Sequence, residues 1–235
     1  MVYTLQASIN SESLWRGTLL ATIAHAFGVA HYPDLFNLQS WDVYTYSVQN
    51  NMGTAGSICF PAGSDKIPFQ CAGSFFEPRS ARAKRTRSEK FNFDKYFAVA
   101  TPSVRSLAER TLSYLLDGSQ IAPTPRITTA MWSDHDGLLS LDQWDQFLQC
   151  GGYLIQKQLL PQKEALLQWQ AEYTLTDEET GKVWEIWGRR ITDPGLEVYL
   201  SSEELACLQR YGRRGLEQSG EVLNSVNIWL YPPEE

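Results

Sequence analysis

The first 130 residues switch between two periods of hydrophobic spacing. Val2 to Ile9, VYTLQASI, alternates in β-forming residues and predicts a strand. Leu14, Leu20, Ile23, Ala24 and Phe27 then recur at helical spacing, with Ser11 or Ser13 placed to cap the helix and Gly28 to close it. Trp41 to Val48 alternates again, and after the turn-rich NNMGTAGS, apolar pieces at Ile58 to Phe60 and Ile67 to Phe76 offer a third strand. Phe91 to Ala100 resumes alternation and predicts the return limb of a long hairpin, about residues 76–97. Pro102 opens a helix with Val104, Leu107, Ala108, Leu112 and Leu115 on one face, ended by Asp117-Gly118, and Pro125 to Trp132 supplies a last strand.

That order, β-α-β-β-α-β, is the α+β pattern of ferredoxin-like domains, shared by RNA-recognition modules. The polar SDHDG at Ser133 to Gly137 marks a boundary, so residues 1–133 are expected to form this domain and 134–235 an appended α+β region. In that region Ser140 with Gln143 resembles a capping box before Leu141, Trp144, Phe147 and Leu148. Trp169 to Leu175 and Lys182 to Ile191 flank TDEETG as a hairpin. Ser201 with Glu204 caps a further helix, and Val222 to Tyr231 reads as a final strand.

Charge changes this picture at one place. The window FFEPRSARAKRTRSEKFNFDKY, Phe75 to Tyr96, holds seven basic residues against three acidic ones, whereas the rest of the chain holds 13 against 24. Such a run opposes folding and suits a polyanion: guanidinium forks fit phosphate oxygens, and flanking aromatics offer faces to unstacked bases. The candidate RNA contacts are Arg79, Arg82, Lys84, Arg85, Arg87, Lys90 and Lys95, with Phe91 and Phe93 to stack on bases. A solvated loop and an arm that docks on an acidic protein partner are the other readings of the run.

At 235 residues and 43% hydrophobic, the chain buries a core and is not disordered as a whole. No apolar run approaches the length of a membrane span and the first residues do not resemble a secretion signal, so a cytoplasmic protein is expected. Cys59, Cys71, Cys150 and Cys207 form no C-x-x-C pair, which argues against a zinc site or a redox motif. No nucleotide-binding, zinc-protease or serine-hydrolase motif is present, and no cofactor or metal is expected. His25 and His31 are the candidates for a general base in metal-independent RNA cleavage. Asp134, His135 and Asp136 are consecutive and point apart, so they read as a turn rather than as metal ligands. Arg213-Arg214 is a second, smaller candidate phosphate contact, and Arg189-Arg190 the exposed side of a hairpin.

With this order laid out, the chain resembles the cap subunits of CRISPR Cascade-type effector complexes, the Cas-five class, and within it the Csc-one group. The resemblance rests on the opening strand VYTLQASI, AHAFGV at Ala24 to Val29, HYPDLFNLQSWDVYTYSV at His31 to Val48, KFNFDKYFAVATPSV at Lys90 to Val104, and TPRITTAMW ending at Trp132. It implies a non-catalytic subunit of an antiviral complex that grips the 5′ handle of a guide RNA, caps the backbone filament and contacts other protein subunits, with no membrane association. The related guide-processing endoribonucleases, also ferredoxin-like, supply the enzyme alternative through His25 or His31. A protein-interaction scaffold without nucleic acid is the third reading.

Overall fold

The computed structural model describes residues 1–6, 9–86, 90–116, 123–133 and 137–233, without the side chains of Arg85 and Thr86. In chain order the elements are β1 (Tyr3–Gln6), α1 (Ser11–His31), β2 (Gln39–Asp42), β3 (Thr45–Gln49), β4 (Ala55–Cys59), β5 (Cys71–Phe76), α2 (Ala81–Thr86), α3 (Asp94–Phe97), α4 (Pro102–Thr111), β6 (Thr129–Ser133), β7 (Leu138–Ser140), α5 (Trp144–Gln149), α6 (Gln162–Tyr173), α7 (Asp177–Thr192), β8 (Val198–Tyr199), α8 (Ser202–Gln209), α9 (Arg213–Asn224) and β9 (Ile228–Trp229). The first seven strands form one antiparallel sheet in the order β1-β7-β6-β5-β4-β3-β2, and β8 pairs with β9 in a small parallel sheet.

Alternation along the strands divides the core into two layers. Trp41, Tyr46, Ile58, Phe75 and Met131 turn to one face, where α1 lies with the C-terminal helices around it. Their neighbours Cys59, Ala72 and Trp132 turn to the other face and meet α3 and α4. A ferredoxin-like domain has its first strand inside the sheet and both helices on one face; here β1 takes an edge, and α1 and α4 lie on opposite faces. The strands β6 and β7 stand on either side of the expected 133/134 boundary and belong to the same sheet.

Helix α1 is buried on nearly every side, and small residues let its neighbours come close. Asn10, rather than Ser11 or Ser13, caps it by accepting from the Ser13 N–H at 2.9 Å. Gly28 does not end the helix, because a Cβ there would lie 2.6 Å from the Tyr173 ring; the glycine makes room for a helix crossing. Gly215 of α9 does the same, since its Cβ would sit 2.4 Å from the Ala30 carbonyl oxygen. Gly215→Ala is therefore expected to lose about 1–3 kcal/mol to the clash, more than the gain of about 1 kcal/mol in helix propensity. Gly181→Ala, with open space around it, should be neutral or stabilising by up to about 1 kcal/mol. Thermal melting of the two variants side by side checks both signs.

Several expected strands are helical. Residues 169–173 belong to α6 and 182–191 to α7, because Leu166, Trp169 and Tyr173, and Val183, Ile186, Trp187 and Arg190, recur at three and four residues and are buried. TDEETG is not a hairpin turn but the start of α7: Thr176 and Glu179 form a capping box, and three acids sit in the first turn. The 76–97 arm is not a hairpin either; α2 and α3 occupy it, with Phe93 stacked on Phe97 one turn later at 5.0 Å. Ser140 caps no helix; it is the end of β7 and its hydroxyl donates to the Ala130 carbonyl at 2.6 Å. Residues 222–224 close α9, leaving only Ile228–Trp229 as strand. The Ser201–Glu204 capping box is present as expected.

Candidate nucleic-acid interface

Between β5 and β6 the chain leaves the sheet and returns only at Thr129, carrying α2, α3 and α4 on the way. Residues 77–128 contain ten basic and five acidic residues, while the rest of the protein contains ten and twenty-two. This excursion packs on the sheet through Tyr96, Phe97, Val104, Leu107 and Ala108, so the cations of α3 and α4 are carried on the face opposite α1.

The excursion is fastened at its start by two arginines. Glu77 is buried and accepts from the Arg79 backbone N–H at 3.0 Å, from Arg79 Nε at 2.9 Å, and from the hydroxyls of Thr54 at 2.9 Å and Tyr153 at 3.1 Å. The Arg79 guanidinium above all holds the Glu77 carboxyl down at about 2, against the opposing effect of burial. Arg79 itself remains 60% exposed. Arg82 makes a two-pronged pair with Asp142, both bonds at 2.7 Å, and donates to the Thr128 carbonyl at 2.9 Å. Asp142 raises the pKa of Arg82 further, so this arginine clips α2 to the sheet.

The other candidates divide into exposed cations and packed rings. Lys84 and Lys90 are exposed and make no ion pair among the described residues. Lys95 is exposed and lines a cavity of about 300 Å³ together with Arg82, Tyr96, Ser140 and Asp142. The Arg85 side chain and Arg87 lie outside the described residues. Phe91 and Phe93 are half-buried against the α4 layer, and the Arg105 guanidinium lies 4.8 Å over the Phe93 ring. Two cations not singled out from the sequence join this face: Arg105, and Arg110, whose guanidinium lies 5.1 Å over the Tyr44 ring. Both occupy polar positions of α4, whose apolar stripe was the only part legible from spacing.

The remaining basic pairs are tied to acids. Arg189 reaches Glu204 at 2.7 Å, Arg213 reaches Glu217 at 2.7 Å, Arg214 reaches Asp34 at 3.0 Å and Arg210 reaches Glu178 at 2.7 Å. Arg190 is wholly buried rather than exposed. No family model, curated protein or solved structure matches this chain.

The histidines stand apart from the cationic face. His25 is buried in α1 with Nδ1 3.2 Å from the Tyr173 hydroxyl, and burial pushes its pKa down to about 4. His31 Nε2 lies 2.9 Å from the buried Glu179 carboxylate, and its ring stacks on Tyr211 at 3.8 Å. Both belong to the layer on the far side of the sheet from α2–α4. His135, Asp134 and Asp136 lie outside the described residues. Among the described residues no group of histidine, cysteine and carboxylate side chains could hold a metal ion, and all four cysteines are free and buried. No helix among them is long and apolar enough to cross a membrane.

Proposed function

We propose that the chain is a non-catalytic RNA-binding subunit of a multi-subunit CRISPR effector complex, gripping a single-stranded handle of the guide RNA through the excursion between β5 and β6. The observation that carries the reading is the segregation of charge: ten cations against five acids on the excursion, ten against twenty-two elsewhere. Lys84 and Lys90, exposed and without carboxylate partners among the described residues, are available to phosphates, whereas Arg82 serves the fold. The acidic remainder repels nucleic acid and so confines it to that face. From the ferredoxin-like expectation the proposal keeps the opening order β1, α1, β2, β3, and from the Cas-five resemblance the role of a filament cap.

The test is binding of the protein to a short single-stranded RNA across a salt series, beside a variant in which Lys84, Arg85, Arg87 and Lys90 are alanine. Log affinity should fall with log salt, and each phosphate that the variant no longer neutralises should make the slope shallower by about 0.7. The variant should bind about 10- to 1,000-fold more weakly at low salt. Equal binding by the two proteins would remove RNA from the excursion and leave docking on an acidic protein as its role.

A further inference from the structure

The sheet carries a row of four serines that sequence spacing cannot reveal. Ser40 of β2 pairs with Ser47 of β3, Ser47 with Ser57 of β4, and Ser57 with Ser74 of β5, so the four hydroxyls cross the sheet side by side on the face of α4. Under α4 the row is satisfied: Ser57 donates to the Thr111 carbonyl at 2.9 Å, and Ser74 meets the Thr111 hydroxyl at 2.7 Å. Beyond the end of α4 it is not. The Ser47 hydroxyl oxygen is buried with no hydrogen-bond partner among the described residues, and Ser40 is exposed.

That open half of the row is the floor of a groove. A cavity of about 160 Å³ is lined by Asn37, Ser40, Ser47, Gln49 and Tyr114, and a second, of about 440 Å³, by Asp42, Tyr44, Arg110 and Tyr114. Tyr114 belongs to both, is 38% exposed, and donates its hydroxyl hydrogen bond to Asp42. The floor is low because Ser40, Ser47, Ala55 and Gly56 are small, and Leu38 and Val48 add aliphatic surface beside the hydroxyl and amide groups of the lining. Tyrosine rings and the Arg110 guanidinium stand at the wall.

We propose that this groove takes a nucleobase of the single-stranded RNA, with the ring over Ser47 and against Tyr114 and the adjoining phosphate at Arg110. A floor of small side chains, part polar and part apolar, beside an aromatic wall suits a planar heterocycle with hydrogen-bonding edges, and the exposed Ser40 hydroxyl next to Ser47 can donate to or accept from such an edge. Arg110 is one of the basic residues of the cationic excursion and brings positive charge to the groove, where the one carboxylate of the lining, Asp42, is held by the Tyr114 hydroxyl. The inference rests on the RNA reading of the excursion and adds a site for a base to one for phosphates.

The two are separated by comparing a ten-nucleotide RNA with an abasic strand of the same length and charge. Tyr114→Ala should weaken the RNA by about tenfold, the usual worth of one stacked base, and leave the abasic strand and the salt slope unchanged. Tyr114→Phe, which keeps the ring, should bind as the parent does, and Ser47→Leu, which fills the floor, should match Tyr114→Ala. An equal loss on both strands, or none on either, overturns the groove while the excursion's salt slope stands. If the parent protein binds neither strand, the RNA reading falls and the groove with it.

Discussion

Replacing Arg190 with methionine is expected to destabilise the protein by about 3–5 kcal/mol, enough to leave much of it unfolded at physiological temperature. Its guanidinium is wholly buried and donates to three backbone carbonyls: Val226 at 2.6 Å, Pro194 at 2.6 Å and Ser64 at 2.7 Å. Those carbonyls come from the loop after β4, the turn after α7 and the approach to β9, three segments that share no ladder. Methionine fills the volume but leaves all three oxygens without that donor, those of Val226 and Ser64 in the buried interior and that of Pro194 nearer the surface. Burial already pushes the pKa of Arg190 down, and Asp65 at 3.6 Å opposes that shift. Urea unfolding followed by circular dichroism checks the loss; a change under about 1 kcal/mol would mean that the carbonyls find water or one another.

The second large effect concerns pH. Glu77 is held at about 2, against the ordinary 4.5, chiefly by Arg79. A depressed carboxyl stabilises the fold above the unfolded pKa, so its contribution is complete above about pH 4.5 and disappears as pH falls through 2. Allowing for solvent screening at the exposed Arg79, the contribution is about 2 kcal/mol. Glu77→Ala should lose at least that at neutral pH, because Thr54, Tyr153 and the Arg79 N–H are left with one acceptor fewer each. The variant's stability should also fall less between pH 5 and pH 2 than the parent's. Since Glu77 stands at the root of the cationic excursion, RNA affinity should fall with it.

The strands flanked by turns and the long apolar α1 were legible because their signals are local. The helices α6 and α7 were not, because in α7 Trp184, Ile186 and Trp187 satisfy a β propensity test as well as a helical one, and only burial of Val183, Ile186 and Arg190 on one face decides between them. The basic run announced itself by composition, yet its division of labour did not. That Arg82 belongs to Asp142, sixty residues away, is a tertiary fact, as is the register that lines up Ser40, Ser47, Ser57 and Ser74. Phe91 and Phe93 look the same in sequence whether they face a base or the core; their packing on the α4 layer places them against the core.

The central helix has a consequence for how the protein is made. A ribosome delivers α1, which ends at His31, well before its covering, which includes β7 near residue 140 and α9, ending at Asn224. At translation rates of about 5–20 residues per second, one of the most apolar segments of the chain waits roughly 10–40 s for its last neighbour. During that interval the covering of α1 is incomplete, which leaves part of its apolar surface open to chaperones. Arrival of α9 therefore supplies the most extensive helix packing that α1 lacks until then.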